Sequence, residues 1–360
     1  MMARQSARLG MRRALAIIFV VAASLLAFAR AACAQERWAK VAPLPETSEE
    51  FSCIAANGKI YLIGGSPIGD TGPPRGLVQE YNPATDAWVR KKPMPVATHH
   101  AAIAEYQGKI YVLGGAVQPV AGGPNQFPTS NAWEYDPAAD TWKALAPMPT
   151  SRMAASATQA GGKIFVIGGA SVHPGHKIAS LSPSVPHRAL DTNEAYDPAT
   201  NTWEARSPMP TARNHAAIGV VNGKIFAIGG RLAAAYLASG SDTDIVEQYD
   251  PSTDSWGAAG LRMPTARSGM GWATFQDRIY VAGGQEYDAH IVAAIRAVEA
   301  YDPAGNQWSV LPTMPTARHG VNVAVVNNRL YVIGGHLQGG FIGGAAANSD
   351  ANEVLELSGR

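Results

Sequence analysis

The fold is decided by a stretch that begins Pro210-Thr-Ala-Arg-Asn-His215 and continues through the apolar run Ala216-Ala-Ile-Gly-Val-Val221. The dipeptide Asn222-Gly223 follows, then Lys224-Ile-Phe-Ala-Ile-Gly229-Gly230 and, after a variable loop, Glu247-Gln-Tyr-Asp-Pro-Ser-Thr-Asp-Ser-Trp256. The two apolar runs have the length of strands, and Asn-Gly is a hairpin turn between them. Tyr-Asp-Pro-Ser-Thr-Asp is a turn as well, because Pro fixes φ. The stretch therefore predicts four antiparallel strands, here named a to d in chain order.

The same pattern recurs along the chain with a period of about 50 residues, which is typical of β-propellers. Six Gly-Gly pairs share the position after strand b: Gly64-Gly65, Gly114-Gly115, Gly168-Gly169, Gly229-Gly230, Gly283-Gly284 and Gly334-Gly335. A Tyr and a Trp seven residues apart follow the first five pairs: Tyr81/Trp88, Tyr135/Trp142, Tyr196/Trp203, Tyr249/Trp256 and Tyr301/Trp308. Because the strands are rich in β-branched and aromatic residues, helical repeats are excluded.

These motifs resemble the Kelch repeat over nearly the whole chain after residue 34. The resemblance implies an all-β, six-bladed propeller with four antiparallel strands per blade. The sixth copy has Glu353-Val-Leu355 but no Trp after it. Trp38 lies before the first copy, and the residues that follow it have the same spacing as those after the Trp of a strand d. We therefore predict that the N-terminal strand completes the last blade, so that no sheet edge is left unpaired at the closure.

Two further repeated residues are charged. Arg152, Arg213, Arg267 and Arg318 each lie sixteen residues before the first Gly of their pair, and Glu194, Glu247, Glu299 and Glu353 occupy strand c of the same copies. The first two copies lack both residues, with Ser48 and Gln79 in one and Thr98 and Trp133 in the other. Since Arg and Glu are present or absent together, we predict an ion pair within each blade that fixes the blade. We favour this role over catalysis.

Residues 1–34 are predicted to be a secretory signal peptide, with Arg12-Arg13 before an apolar segment and the small residues Ala32-Cys33-Ala34 at the cleavage site. Cleavage after Ala34 would give a periplasmic or secreted propeller of residues 35–360 with no membrane span. That part has 24 basic and 28 acidic residues, a net charge of −4, so nucleic acid is excluded as a partner. Cys53 would be its only thiol, which excludes an internal disulfide. We expect a monomer.

In such a blade the b–c and d–a connections share one end of the propeller, here called the mouth, which carries every long loop and all nine histidines. These histidines are either tolerated loop residues or a surface whose charge varies with pH near neutrality. Two mouth positions vary between copies. The first holds Glu50, His100, Ala154, His215, Gly269 and Gly320, and the second, directly after Gly-Gly, holds Ser66, Ala116, Ala170, Arg231, Gln285 and His336.

Scaffold positions repeat, whereas positions that vary at the same depth are free to carry specificity, and in Kelch adaptor proteins the matching positions line the ligand face. We predict ligand contacts from Glu50, His100, His215, Arg231, Gln285 and His336, with Tyr287 and His290 further out; the alternative is a set of ordinary solvated loop ends. No structure is assigned to the Pro-, Ser- and His-rich segment 170–191.

The function predicted is that of a module that binds a peptide, a protein or a carbohydrate at the mouth. The alternative is a carbohydrate-active isomerase similar to the periplasmic Kelch mutarotase of sialic acid, in which Glu50 with His100 or His215 would supply the general acid and base. No cofactor is predicted. No metal is predicted either, because neither His99-His100 nor His173-x-x-His176 has a zinc spacing.

Overall fold

Short apolar strands separated by tight turns make up all of the regular secondary structure in the described residues. The computed structural model describes residues 38–47, 49–66, 76–118, 126–175, 187–232, 241–257, 260–287, 291–340 and 347–357. The predicted signal peptide and His290 lie outside these ranges. Within them the chain has no helix with the length and apolar character needed to cross a bilayer.

Six four-stranded antiparallel sheets form the blades, each with strands a to d in spatial order. The strands of blades 1 to 3 are Glu49–Ala56, Lys59–Ser66, Leu77–Asn82 and Ala87–Arg90; Ala102–Tyr106, Lys109–Leu113, Ala132–Asp136 and Thr141–Ala144; Ser156–Ala160, Lys163–Ile167, Asn193–Asp197 and Thr202–Arg206. Those of blades 4 to 6 are Ala217–Val221, Lys224–Ile228, Val246–Asp250 and Ser255–Trp256; Gly271–Phe275, Arg278–Ala282, Val298–Asp302 and Gln307–Leu311; Asn322–Val326, Arg329–Ile333, Asn352–Glu356 and Ala39–Lys40. Each strand a contacts the strands a of both neighbouring blades, which closes the ring and confirms the predicted propeller.

The N-terminal strand completes blade 6, as predicted. Ala39 pairs with Val354 and Lys40 pairs with Glu353, both antiparallel. Trp38 occupies the place of the missing tryptophan, and its indole Nε1–H donates to the carbonyl oxygen of Pro312 in blade 5 at 3.1 Å. The two ends of the described chain are therefore held in one sheet.

The repeated aromatic residues join neighbouring blades. Tyr249, for example, is fully buried, and its hydroxyl donates to Asp254 Oδ1 at 2.6 Å. Asp254 has φ near 49°, a conformation that Asp and Asn tolerate better than most residues, and it also accepts the backbone N–H of Ser207 in blade 3. Trp256 Nε1–H donates back to the Ser207 carbonyl at 2.9 Å. In blades 1, 2, 3 and 5 the hydroxyl of the corresponding Tyr likewise donates to the residue five positions further on, which is Asp86, Asp140, Asn201 or Asn306.

The predicted Arg–Glu pairs within blades 3 to 6 are confirmed. The nearest N–O distances are 2.9 Å for Arg152–Glu194, 2.7 Å for Arg213–Glu247, 2.8 Å for Arg267–Glu299 and 2.6 Å for Arg318–Glu353. All four guanidinium groups are buried. Burial lowers the pKa of Arg213 to about 10, which leaves it charged at neutral pH. Each pair reaches across strand b, as Arg152 shows by donating to the Val166 carbonyl.

Three of the b–c loops extend the sheets toward the mouth as small hairpins. They pair Ala116–Val117 with Phe127–Pro128, Ala170–Val172 with His187–Ala189, and Gln285–Tyr287 with Val292–Ala294. The second hairpin lies in the segment to which the sequence assigned no structure. Its first strand begins directly after Gly169, and the hairpin forms a two-stranded sheet of its own.

Candidate functional site

The first variable position of each copy has the same backbone conformation in all six blades. We call these residues the inner ring, with positive φ values between 53° and 60°: Glu50, His100, Ala154, His215, Gly269 and Gly320. Left-handed φ costs about 1–2 kcal/mol for a residue with a Cβ. Gly269 and Gly320 avoid this cost, whereas the other four inner-ring residues do not. Strained positions of this kind concentrate at functional sites.

Backbone hydrogen bonds run around the inner ring from blade to blade. In blades 2 to 6 the N–H of the inner-ring residue donates to the carbonyl of its counterpart in the preceding blade, in the links His100 to Glu50, Ala154 to His100, His215 to Ala154, Gly269 to His215 and Gly320 to Gly269, at 2.8–3.2 Å. These bonds fix where each Cα lies at the mouth, and they involve no side chain. The side chain at each position is therefore free to vary without loss of the bond.

A cavity of about 90 Å3 opens inside this ring. Glu50, His100 and His215 line it together with the small residues Ala154 and Gly320. Its floor consists of strand-a residues at one level, of which Cys53, Ile103, Trp272 and Val323 also line a second space of about 260 Å3 deeper along the axis.

The three polar side chains of the inner ring converge at the centre of the cavity. Glu50 Oε2 lies 3.4 Å from His100 Nε2, and one ligand atom from each of Glu50, His100 and His215 lies within 4.8 Å of the others. The rings of His100 and His215 are nearly perpendicular, with centroids 5.3 Å apart. The glycine at position 320 leaves the space that the Glu50 carboxylate occupies, since a Cβ there would lie 3.1 Å from Glu50 Oε1.

Neighbouring polar residues hold the two imidazoles in place. His215 Nδ1 lies 2.5 Å from Asn214 Oδ1, an amide oxygen that can only accept, so Nδ1 carries the proton. His100 Nδ1 contacts His99 Nδ1. Asn214 and His99 occupy the same place in their blades, directly before an inner-ring histidine. The sequence analysis missed Asn214 in this role, although that shared position could have indicated it.

Burial controls the charge of the mouth. It lowers the pKa of His100 to about 3, with a further contribution from Arg231, and it lowers the pKa of His215 well below the usual value. The pKa of His319 falls to about 4 for the same reason. These histidines are therefore neutral at pH 7, and the hypothesis of a mouth charge that varies near neutrality is wrong for them. Burial raises the pKa of Glu50, against the opposing charge of Arg231.

The second variable position forms an outer ring behind the inner one. Bridges between backbones join Arg231 to Asn214, Gln285 to Ser268 and His336 to His319. All three side chains are buried, with 3%, 6% and 1% exposure, and they do not line the cavity. They are held by protein groups: Arg231 by Asp242 and Ser268, Gln285 by the Gly340 N–H, and His336 by the Gln338 carbonyl.

The structure therefore separates the predicted contact residues into two sets. Glu50, His100 and His215 reach the cavity, whereas Arg231, Gln285 and His336 support the loops around it. Tyr287 is partly buried and lies under the Arg231 guanidinium, 4.8 Å from Cζ to the ring centroid. Whether these residues bind a ligand remains a prediction.

Comparison with known proteins places the repeats in a family. The Kelch motif matches residues 97–149, 151–210, 212–256 and 266–315. Kelch-like protein 36 from Mus musculus is 27% identical over 303 residues, which are 82% of this chain and 45% of that protein. Kelch-like protein terF from Aspergillus terreus is 31% identical over 185 residues, 50% of this chain and 38% of that protein. The chain spans less than half the length of these relatives. With more than half of its residues matched by the motif, the chain belongs to the Kelch-repeat family.

Proposed function

We propose that this chain is an interaction module that binds a segment of a partner protein on the mouth, across the loops of blades 4 to 6. The Kelch propeller is a fold typical of protein-interaction modules. One observation carries the proposal: exposed apolar side chains are concentrated on these loops. Of the seven large apolar residues that are exposed among the described residues, four lie there, namely Leu232, Ile291, Val292 and Leu337. Together with Tyr287 we call them the apolar shelf.

The loops that carry the apolar shelf are joined to one another. The Tyr287 N–H in blade 5 donates to Asp242 Oδ2 in blade 4 at 2.7 Å. In blade 6 the Gly340 N–H donates to Gln285 Oε1, also at 2.7 Å, and a Cβ on Gly339 would lie only 2.5 Å from the Ala293 nitrogen. A preformed surface of this kind loses little conformational freedom when it binds. This favours binding of a partner by the mouth as it stands.

The size of the cavity agrees with a peptide rather than a sugar. Sites for small molecules have volumes of about 300–1,000 Å3, whereas this cavity has about 90 Å3. That volume accommodates the polar end of one side chain. We therefore expect a partner segment that places one polar group against Glu50, His100 and His215 and apolar side chains on the shelf.

A selection of phage-displayed peptides on the immobilised chain tests this proposal. We expect enriched peptides whose affinity, measured in solution by fluorescence anisotropy, falls at least tenfold with Leu232→Asp or Leu337→Asp. Val310→Asp is the matched control, because Val310 is 73% exposed but lies in strand d of blade 5, outside the shelf. Equal losses in all three variants, or no loss in any, would contradict the proposed site.

The mutarotase alternative has one observation in its favour, the 3.4 Å approach of Glu50 Oε2 to His100 Nε2. An acid and a base this close match the chemistry of ring opening. The test is the exchange between anomers of N-acetylneuraminate, followed by NMR with the chain and with Glu50→Gln. Acceleration that Glu50→Gln abolishes would replace the proposal above.

We further propose that the protein is exported. The support is the sequence of residues 1–34, in which a basic N-terminal region is followed by an apolar segment and by small residues at the expected cleavage site. Expression of the whole chain in a bacterium, followed by fractionation and N-terminal sequencing, tests this proposal. A mature protein that starts at Gln35 outside the cytoplasm is expected, and an uncleaved cytoplasmic chain would refute it.

A further inference from the structure

We propose that Glu50, His100 and His215 bind one divalent transition-metal ion, of the type of Zn2+, at the centre of the mouth. The sequence did not indicate such a site, because the three residues are far apart in the chain and come from blades 1, 2 and 4. The inner ring brings them together because each occupies the same place in its blade.

The distance between two of the donor atoms matches that around a metal ion. With bonds of about 2.1 Å, two ligands of a tetrahedral zinc site lie ~3.4 Å apart. Glu50 Oε2 and His100 Nε2 are 3.4 Å apart, and the His215 ligand atom lies within 4.8 Å of both.

The side chain of Asn214 orients the imidazole of His215 as neighbouring residues do in metal sites. A histidine that ligates a metal usually donates its other N–H to an oxygen acceptor, which fixes the tautomer. His215 does this through Nδ1 and Asn214 Oδ1, which leaves the lone pair of Nε2 for the ion. His100 has its Nδ1 against His99 and its Nε2 toward Glu50.

The remaining inner-ring positions leave the coordination sphere open on one side. Ala154, Gly269 and Gly320 have no side chain beyond a methyl group, so the inner ring supplies three ligands. The cavity of about 90 Å3 has room for the ion and for exchangeable ligands such as water. Two imidazoles and one carboxylate favour Zn2+, Co2+ or Fe2+ over Mg2+ and Ca2+, which prefer oxygen ligands.

Titration of the untagged, metal-stripped chain with Zn2+ and with Co2+ tests the proposal. We expect one Zn2+ per chain by calorimetry, and visible absorption bands of four- or five-coordinate Co2+. His100→Ala and His215→Ala should each weaken Zn2+ binding at least tenfold and remove the Co2+ bands. Alanine suits these positions, because blade 3 already has Ala154 in the same conformation.

His173→Ala is the matched control, since His173 is an exposed histidine outside the inner ring and its loss should leave binding unchanged. Far-UV circular dichroism establishes that each variant is folded. The proposal is overturned if the unmodified chain binds no Zn2+ at 1:1 stoichiometry, or if His173→Ala weakens binding as much as His100→Ala. The shelf variants Leu232→Asp and Leu337→Asp should retain full Zn2+ affinity, so failure of the proposed interaction and failure of the metal site are distinguishable.

Discussion

The buried ion pair of blade 4 allows the role of the repeated Arg and Glu to be measured. Arg213 Nη2 donates to Glu247 Oε2 at 2.7 Å and to the Ala227 carbonyl, while Nη1 donates to the Ile245 carbonyl. Thr211 also donates to the Glu247 carboxylate. In Arg213→Met the carboxylate would stay buried with Thr211 as its remaining side-chain donor, and two backbone carbonyls would lose a donor.

The expected cost follows from this burial. Removing one partner of a buried pair destabilises a protein by about 3–5 kcal/mol, because the other charge is left uncompensated. Replacing both partners by apolar residues of similar volume is often close to neutral. We therefore expect Arg213→Met and Glu247→Leu each to lower the free energy of unfolding by about 3 kcal/mol or more. The double variant should lose at least ~2 kcal/mol less than the sum of the two single variants.

Urea denaturation followed by tryptophan fluorescence measures these free energies, because tryptophans lie at the blade interfaces. Lys163→Met is the matched control: Lys163 Nζ lies 2.7 Å from Glu204 Oε2, but the two side chains are 36% and 49% exposed. Lys163→Met should lower the free energy of unfolding by less than about 1 kcal/mol. A cost of Arg213→Met as small as that of the control, or strictly additive effects in the double variant, would refute the structural role.

Three further predictions concern other parts of the scaffold. Trp38→Ala should lower the free energy of unfolding by about 3 kcal/mol, measured by urea denaturation, because the hydrogen bond to Pro312 and the packing at the ring closure are lost. Ala154→Gly should raise it by about 1 kcal/mol, since φ at this residue is 53°; a destabilised variant would contradict the strain. Burial raises the pKa of the Cys53 thiol. Cys53 should therefore resist alkylation at pH 8 in the native chain and react in urea, as followed by mass spectrometry of its peptide.

The fold was predictable because residues of the same type make the same structural contacts in successive blades. The aromatic residues recur because each Trp hydrogen-bonds across a blade interface and each Tyr holds the Asp or Asn that does the same, and the absence of a Trp after Leu355 pointed to Trp38. The Arg–Glu pairing was predictable from the two copies that lack both residues. In each case the repeat supplied internal comparisons that a single sequence normally lacks.

The candidate site was predictable in position but not in geometry. Sequence comparison between copies identified the variable positions, including Glu50, His100 and His215. It could not show that Arg231, Gln285 and His336 do not line the cavity, because that depends on the partners they meet, such as Ser268 for Arg231 and the Gly340 N–H for Gln285. The neutral state of the histidines was likewise hidden, since it results from burial, which the loop position of these residues did not suggest.

The inner ring explains how one scaffold can present different mouths. Its inter-blade hydrogen bonds use only backbone groups, so the fold requires a positive φ at this position and no particular side chain. Glu, His, Ala and Gly all meet that requirement in this chain, although at different energetic cost. Where the scaffold sets the direction but not the identity of a side chain, substitution changes the chemistry at the axis and leaves the blades intact. The function of a Kelch propeller therefore has to be argued from its mouth, because the fold is the same whatever the mouth contains.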